Sequence, residues 1–322
     1  MDRAVGCSFP YFPFANRGAV KRMKKKVQSL LVTEGVPLLF LLPWLVGTAV
    51  FVLYPMFSSL GLAFTNYSFG GNWSFVGVGN FVKMFTADRR FVRSVQVTLQ
   101  YVFMAVPIRL VASLLIAMAL KKGMRGLAVY RAVYYVPSLL GGSVAISLLW
   151  TQVFGSNGIF NRFMTFLHFS GFQNVSWITN PGTSLYTLIA LLVWQFGASM
   201  VIFLAGLKQI PESLYEAARI DGAGAYACFT RITLPMLSPI ILFNLVMEMI
   251  NAFQAFTPAF IISNGQGGVL DSLLFYTLYI YIKGFNQFQM GYASAMAWVL
   301  LVFIAILTAV VLTTSRKWVH YE

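Results

Sequence analysis

Residues 216–235 read Glu-Ala-Ala-Arg-Ile-Asp-Gly-Ala-Gly-Ala-Tyr-Ala-Cys-Phe-Thr-Arg-Ile-Thr-Leu-Pro. This is a short polar stretch between two long apolar ones, so it reads as a loop at a membrane surface. Pro211 suits the first position of a helix, where its missing N–H would have no partner. Glu212 and Glu216 follow in the early turns, where a carboxylate favours the positive end of the helix dipole. Gly222 and Gly224 end that helix. A second one is expected over Ala225–Ile232, before Pro235 leads into the next apolar run. The product is a helix-turn-helix whose small residues Ala217, Ala218 and Gly222 allow a partner's backbone to come close.

The apolar runs on either side belong to a larger set. The chain has 322 residues, of which 58% are hydrophobic and 10% charged, a composition foreign to soluble globular domains. A hydrocarbon core of ~30 Å takes ~20 apolar residues as helix. Six stretches reach that length: Val36–Phe64, Val95–Leu120, Tyr130–Phe154, Ser184–Leu207, Met236–Ile262 and Met290–Thr314. They are expected to be helical, because an unpaired backbone amide in lipid costs several kcal/mol. The expected fold is an all-α membrane protein of six transmembrane helices. Its parts are a basic tail over residues 1–35, the helical domain over 36–314 and a short tail over 315–322.

The net charge of +14 raises the possibility of nucleic-acid binding, and the placement of the charges argues against it. With both tails on one side, that side holds Arg3, Arg17, Lys21, Arg22, Lys24, Lys25, Lys26, Lys121, Lys122, Arg125, Arg131, Lys208, Arg219, Arg231, Arg316 and Lys317. The opposite loops hold Lys83, Arg89, Arg90, Arg93, Arg162 and Lys283, and Arg109 lies within a span. Basic residues collect on the cytoplasmic side of membrane proteins, which puts both termini and the 208–235 loop in the cytoplasm. The charge is spread over separate short loops, unlike the single basic face that nucleic acid requires. The Lys21–Lys26 cluster can attract anionic lipid. Cys7 and Cys228 both fall on the cytoplasmic side and form no disulfide framework. Residues 1–22 lack the uninterrupted apolar core of a secretory signal, with Pro10 and Pro13 breaking it.

The loops on the far side run over 65–94, 155–183 and 263–289. They are rich in Gly, Asn and Ser, as in Asn72-Trp73-Ser74, Gly155-Ser156-Asn157-Gly158 and Asn264-Gly265-Gln266-Gly267-Gly268. Turn chemistry explains those residues. The loops either connect helices or dock a partner outside the membrane, since a plain helix hairpin needs less chain.

The spacing inside 216–235 is specific: Glu216-Ala217-Ala218, three residues, Gly222, nine residues, Ile232, one residue, Leu234-Pro235. It resembles the EAA loop of permease subunits in binding-protein-dependent ABC importers. The likeness extends to Leu42-Pro43, Leu53-Tyr54-Pro55, Phe64-Thr65-Asn66-Tyr67, Phe75-Val76-Gly77 with Asn80-Phe81, and Tyr135-Val136-Pro137. It continues through Trp150 with Phe154, Trp194, Leu204-Ala205-Gly206-Leu207, Ile210-Pro211 and Gly291-Tyr292-Ala293-Ser294-Ala295, nearly the whole chain. These residues are most similar to the first permease of maltose-type and glycerol-3-phosphate-type importers. A further likeness, carried by no single motif, is to the alginate-oligosaccharide importer. One departure is Gly267-Gly268-Val269 where the family has Gly-Gly-Pro.

The resemblance implies a carbohydrate importer subunit in a bacterial inner membrane. Its cargo would be an oligosaccharide, an acidic alginate-like one among the candidates, moved by alternating access. It implies a second homologous permease, a pair of ABC ATPases and an extracytoplasmic solute-binding protein. It implies that Glu216, Ala217, Ala218, Asp221, Gly222, Ile232, Leu234 and Pro235 form the surface the ATPase grips. This chain has no Gly-x-x-x-x-Gly-Lys-Ser/Thr loop, so ATP and magnesium are expected on the partner ATPase.

Asn244, Glu248, Asn251 and Gln254 fall within an arc of about 120° on a helix. Polar groups in a membrane face a cavity or a partner, so this stripe is a candidate cargo path, with Trp194, Gln195 and Phe253 nearby. Neutral polar groups and aromatic faces suit a sugar. Helix–helix hydrogen bonding is the competing reading. Arg109, about twelve residues or ~18 Å into its span, has three readings: pairing with Glu248, bonding carbonyls freed by Pro107, or facing an acidic cargo. His168 and His320 are the only histidines, and no Ser/His/Asp, Cys/His or metal-spaced cluster accompanies them, so no catalytic or metal site is expected. A stand-alone ion-coupled transporter or channel is the alternative function. It would leave the 216–235 spacing unexplained.

Overall fold

The computed structural model describes residues 39–69, 71, 73–121, 126–168 and 175–319. Several sequence expectations lie outside them: the tail 1–35 with its Lys21–Lys26 cluster and Cys7, and Asn72, Lys122, Arg125 and His320. The chain divides into two compact units, one ending at Ser59 and one beginning at Leu60. The apolar helix α1 is Leu39–Ala63, with a π-helical turn at Ala49–Leu53.

In the second unit, α2 (Gly79–Thr86) leads into α3 (Arg89–Lys121), a helix of 33 residues. At 1.5 Å per residue α3 is about 50 Å long, more than a bilayer core requires. Its buried face runs Ser94, Thr98, Tyr101, Ala105, Arg109, Ser113, Ala117 and Leu120, steps of three and four that keep one side of a helix inward. Small residues on that face let neighbouring helices approach closely. Around it pack α7 (Ser184–Trp194), α8 (Gly197–Gln209) and α11 (Leu234–Phe253).

Two expected spans are broken at bends of more than 40°. Tyr130–Phe154 resolves into α4 (Leu127–Leu140) and α5 (Val144–Phe154), and the run Val144–Phe166, which includes α6 (Ile159–Phe166), turns 99° from α4. Ser143 starts the new helix, its hydroxyl accepting from the Ile146 amide at 3.3 Å, a cap that stops the old helix from continuing. Ser184–Leu207 resolves into α7 and α8, bent by 42° at Gln195–Phe196. Four described helices are long and apolar enough to cross a membrane, and six spans result if each bent pair counts as one.

After α9 (Glu212–Ile220) and α10 (Ala225–Cys228), a π-helical turn at Phe229–Thr233 runs directly into α11. The expected second loop helix is therefore the root of α11, not a separate element. The Met236–Ile262 run stops at Phe253, and α12 (Thr257–Ile262) is separate. Then come α13 (Tyr276–Tyr281) and α14 (Met290–Ser315).

Polar bonds tie the 65–94 and 263–289 segments to the bundle. Asn80 Nδ2 donates to the carbonyls of Ala63 and Thr65, both at 2.8 Å. The Gly291 amide donates to the Tyr67 carbonyl at 3.0 Å, and a Cβ at Gly291 would overlap the Thr65 carbonyl oxygen. Arg90 forms a two-pronged pair with Asp271, at 2.6 and 3.0 Å. Asp88 accepts from Tyr279 and Tyr292 hydroxyls at 2.7 and 2.8 Å, with Lys283 at 3.7 Å. Burial pushes the Asp88 carboxyl up, but the two tyrosines, the Phe91 amide and Lys283 outweigh it and hold it below the usual carboxylate value. Burial also pushes the Tyr279 phenol up, reinforced by Asp88, and pulls the Lys283 amine down.

Candidate coupling loop and interior polar site

Pro211 immediately precedes α9, one position before the place expected for it, and Glu212 opens the first turn. Gly222 adopts φ +80°, a left-handed conformation that costs glycine nothing and a side-chain-bearing residue about 1 kcal/mol or more. It lets the Gly222 amide reach the Arg219 carbonyl and the Ala223 amide reach the Ala218 carbonyl, at 3.0 and 2.8 Å. The hairpin is fastened at its base: Tyr215 and Thr233 hydroxyls lie 3.0 Å apart, and Lys121 Nζ sits 4.2 Å above the Tyr215 ring.

Of the eight predicted coupling residues, Glu216, Ala217, Asp221 and Gly222 are exposed. Ala218, Ile232, Leu234 and Pro235 are half-buried, with Ile232 packed against the buried cluster that includes Leu207 and Leu237. One group presents a surface and the other anchors it. Sequence reasoning missed two residues of that surface, Ile220 and Tyr226, which are 87% and 80% exposed. The signal was present, since Ile220 is one turn beyond Glu216 on the same solvent face. A pocket of about 520 Å³ lies under the hairpin, lined among others by Lys121, Glu212, Tyr215, Arg219 and Cys228.

The second candidate region lies inside the bundle. Arg109 Nη1 and Glu248 Oε2 are 2.6 Å apart, and both residues are under a tenth exposed. Of the three readings of Arg109, the structure shows the pair. It also shows Arg109 bonding a helix carbonyl freed by a break, but the break is at Gln195 and not at Pro107: Nη2 donates to the Gln195 carbonyl at 2.8 Å. Ser199 Oγ donates to Glu248 Oε1 at 2.6 Å. Gln195 Nε2 donates to the Gly141 carbonyl at 3.1 Å.

The predicted stripe on α11 divides. Asn244 and Glu248 are buried, Asn244 bonding the Ile240 carbonyl at 3.0 Å. Asn251 and Gln254 are exposed on a face shared with Phe243 and Met247. An arc of 120° is wide enough to reach from the packed side of a helix to its open side. Phe253 is buried edge-on against Phe303 at 5.5 Å. Trp194 is 38% exposed beside Trp150, whose indole donates to the Thr187 carbonyl.

Residues 76–320 match the family model described as "Binding-protein-dependent transport system inner membrane component". The probable ABC transporter permease protein YesP of Bacillus subtilis is 48% identical over 92% of this chain and 96% of its own. The lactose transport system permease protein LacF of Rhizobium radiobacter is 30% identical over 87% and 93%. The sn-glycerol-3-phosphate permease protein UgpA of Yersinia enterocolitica is 31% identical over 89% and 96%. Among solved structures, a chain of a bacterial ABC transporter involved in the import of the acidic polysaccharide alginate superposes with TM-score 0.73, at 22% identity, over 91% of this chain and 99% of that one. At that identity the likeness speaks for the fold.

Proposed function

The chain belongs to the family of binding-protein-dependent transport system inner membrane components, and from that premise we propose that it is the permease through which an ABC importer moves a carbohydrate. The permease role follows from the family and from relatives that are ABC permeases along nearly their whole length. The sugar cargo is supported by the relatives' names, which include lactose and arabinooligosaccharide systems at 30% identity. The chain is a multi-pass inner-membrane subunit. In the proposed topology both termini and the 208–235 loop face the cytoplasm.

The single observation that carries the mechanism is the hairpin: a tight turn at Gly222 with Glu216, Ala217, Ile220, Asp221 and Tyr226 exposed around it. Exposed apolar residues beside charged ones mark an interaction surface. We assign that surface to the ATPase pair, which would hold ATP and magnesium, with a second homologous permease and an extracytoplasmic binding protein completing the importer. Because α10 continues into α11, movement of the hairpin carries the fifth span with it. Alternating access then follows as nucleotide closes the ATPases. Cargo contact is assigned to the open face of α11, through Asn251 and Gln254, and to Trp194, whose amides and ring match sugar hydroxyls and ring faces. An acidic saccharide would need a free cation facing it, and Arg109, held by Glu248, does not supply one.

The test is uptake of labelled oligosaccharides into vesicles holding this chain with its partner permease and ATPase, supplied with the binding protein. ATP-dependent uptake supports the proposal. Uptake by this chain alone, without ATP, overturns it in favour of a stand-alone transporter.

A further inference from the structure

A helix break frees backbone carbonyls that a membrane interior cannot hydrate. Two breaks in the described residues bend their spans by more than 40°, at Gly141–Ser143 between α4 and α5 and at Gln195–Phe196 between α7 and α8. One residue serves both. The Gln195 side chain donates to the Gly141 carbonyl, and its own carbonyl receives Arg109. Ser113, one turn along α3 from Arg109, donates to the Phe196 carbonyl at 3.1 Å. Glycine is required for this approach: a Cβ at Gly141 would overlap the Gln195 carboxamide, and one at Gly197 would overlap the Tyr134 carbonyl. On its other side Arg109 is held by Glu248 of α11.

The result is an unbroken series of polar bonds from the helix continuous with the coupling hairpin to the breaks in the third and fourth spans. Glu248 lies 14 residues, about 21 Å, along α11 from Leu234. Burying an ion pair in a membrane is costly and is offset only by specific partners. Arg109 Nε is buried without a hydrogen-bond partner among the described residues, so the guanidinium keeps a donor for a second arrangement.

We infer that Gln195 is a positioning residue for transport, joining the two helix breaks so that displacement of α11 through the Glu248–Arg109 pair bends the third and fourth spans together. Its role is to transmit movement, not to touch cargo. This rests on the permease reading of the chain, and wild-type uptake in the same assay checks that reading separately.

Two variants of the assembled importer test the inference. Gln195→Met keeps the length and the ion pair but removes the donor to Gly141. The double exchange Arg109→Glu with Glu248→Arg restores opposite charges but leaves a carboxylate that cannot donate to the Gln195 carbonyl. Both are expected to assemble at wild-type yield, with half-saturating cargo within about twofold of wild type and maximal uptake lower by about tenfold, the effect of one lost buried hydrogen bond on a rate. ATP hydrolysis per molecule imported should rise in proportion. Wild-type maximal uptake by Gln195→Met overturns the inference. So does a raised half-saturation at unchanged maximum, which would make Gln195 a cargo contact, or a failure of Gln195→Met to assemble, which would make it purely structural. If the double exchange alone fails to assemble, Gln195→Met decides the matter by itself.

Discussion

At the scale of single residues, position within a turn or a polar cluster sets what a substitution does. Glu216 is exposed and makes no demand on packing, so Glu216→Lys should insert at wild-type levels while uptake falls by about tenfold, the loss of one charged contact at a partner surface. Equal uptake in membranes of equal content would remove the hairpin from the coupling role. Asp88 behaves differently because three donors and Lys283 hold its carboxylate in place. Its folded pKa is below the ordinary carboxylate value of 3.8, so its contribution is complete above that value and fades as pH falls through the lower folded one. Thermal unfolding in detergent should therefore show an Asp88-dependent loss of stability only below about pH 4, absent from Asp88→Asn. A difference between the two proteins that vanished near neutral pH instead would contradict the arrangement. Asp88 was not singled out from the sequence, because its partners lie 191 and 204 residues away.

At the scale of elements, the decisive features are the interruptions. Gly197 lies where α8 crosses the Tyr134 main chain, so Gly197→Val should destabilise by about 2 kcal/mol through overpacking. Gly47, where a Cβ meets nothing within 4 Å, is the control, and equal melting temperatures for the two substitutions would refute the close approach. The runs Tyr130–Phe154 and Ser184–Leu207 are continuous in hydropathy, which records residence in lipid and not straightness. The signals of breakage were Gly141-Gly142-Ser143 and Gln195 within otherwise apolar chain. Read alone, a glycine pair and a buried amide are also compatible with straight packed helices, so the bend needed the neighbouring helix to reveal it. The hairpin was more legible. Its Pro, Gly and Glu positions act through local backbone geometry, and the difference at its second helix arises because nothing in Phe229–Thr233 stops the chain from continuing into α11.

At the scale of the whole molecule, charge placement carries a topological prediction. In a background of Cys7→Ser and Cys228→Ser, Arg93→Cys should react with an impermeant maleimide on intact spheroplasts, and Ile220→Cys only after permeabilisation. Both parent side chains are exposed, so the reverse pattern would invert the assigned orientation. Arg109 and Glu248 also act at this scale, since they join α3 and α11 across the bundle. Arg109→Ala should cost about 3–5 kcal/mol by leaving Glu248 buried and unpaired, and the added Glu248→Ala should recover much of it. No recovery in the double variant would show that the pair is not coupled.

The sequence by itself determined the apolar segments, their alternating charge and the hairpin at 216–235, because each follows from composition or from bonds between near neighbours. The tertiary structure decided where two of those segments break, which half of the α11 stripe is packed inward and what holds Arg109. Those outcomes depend on how each helix is rotated against the next and on which freed carbonyl lies within reach of a donor, and neither is a property of any one stretch of chain.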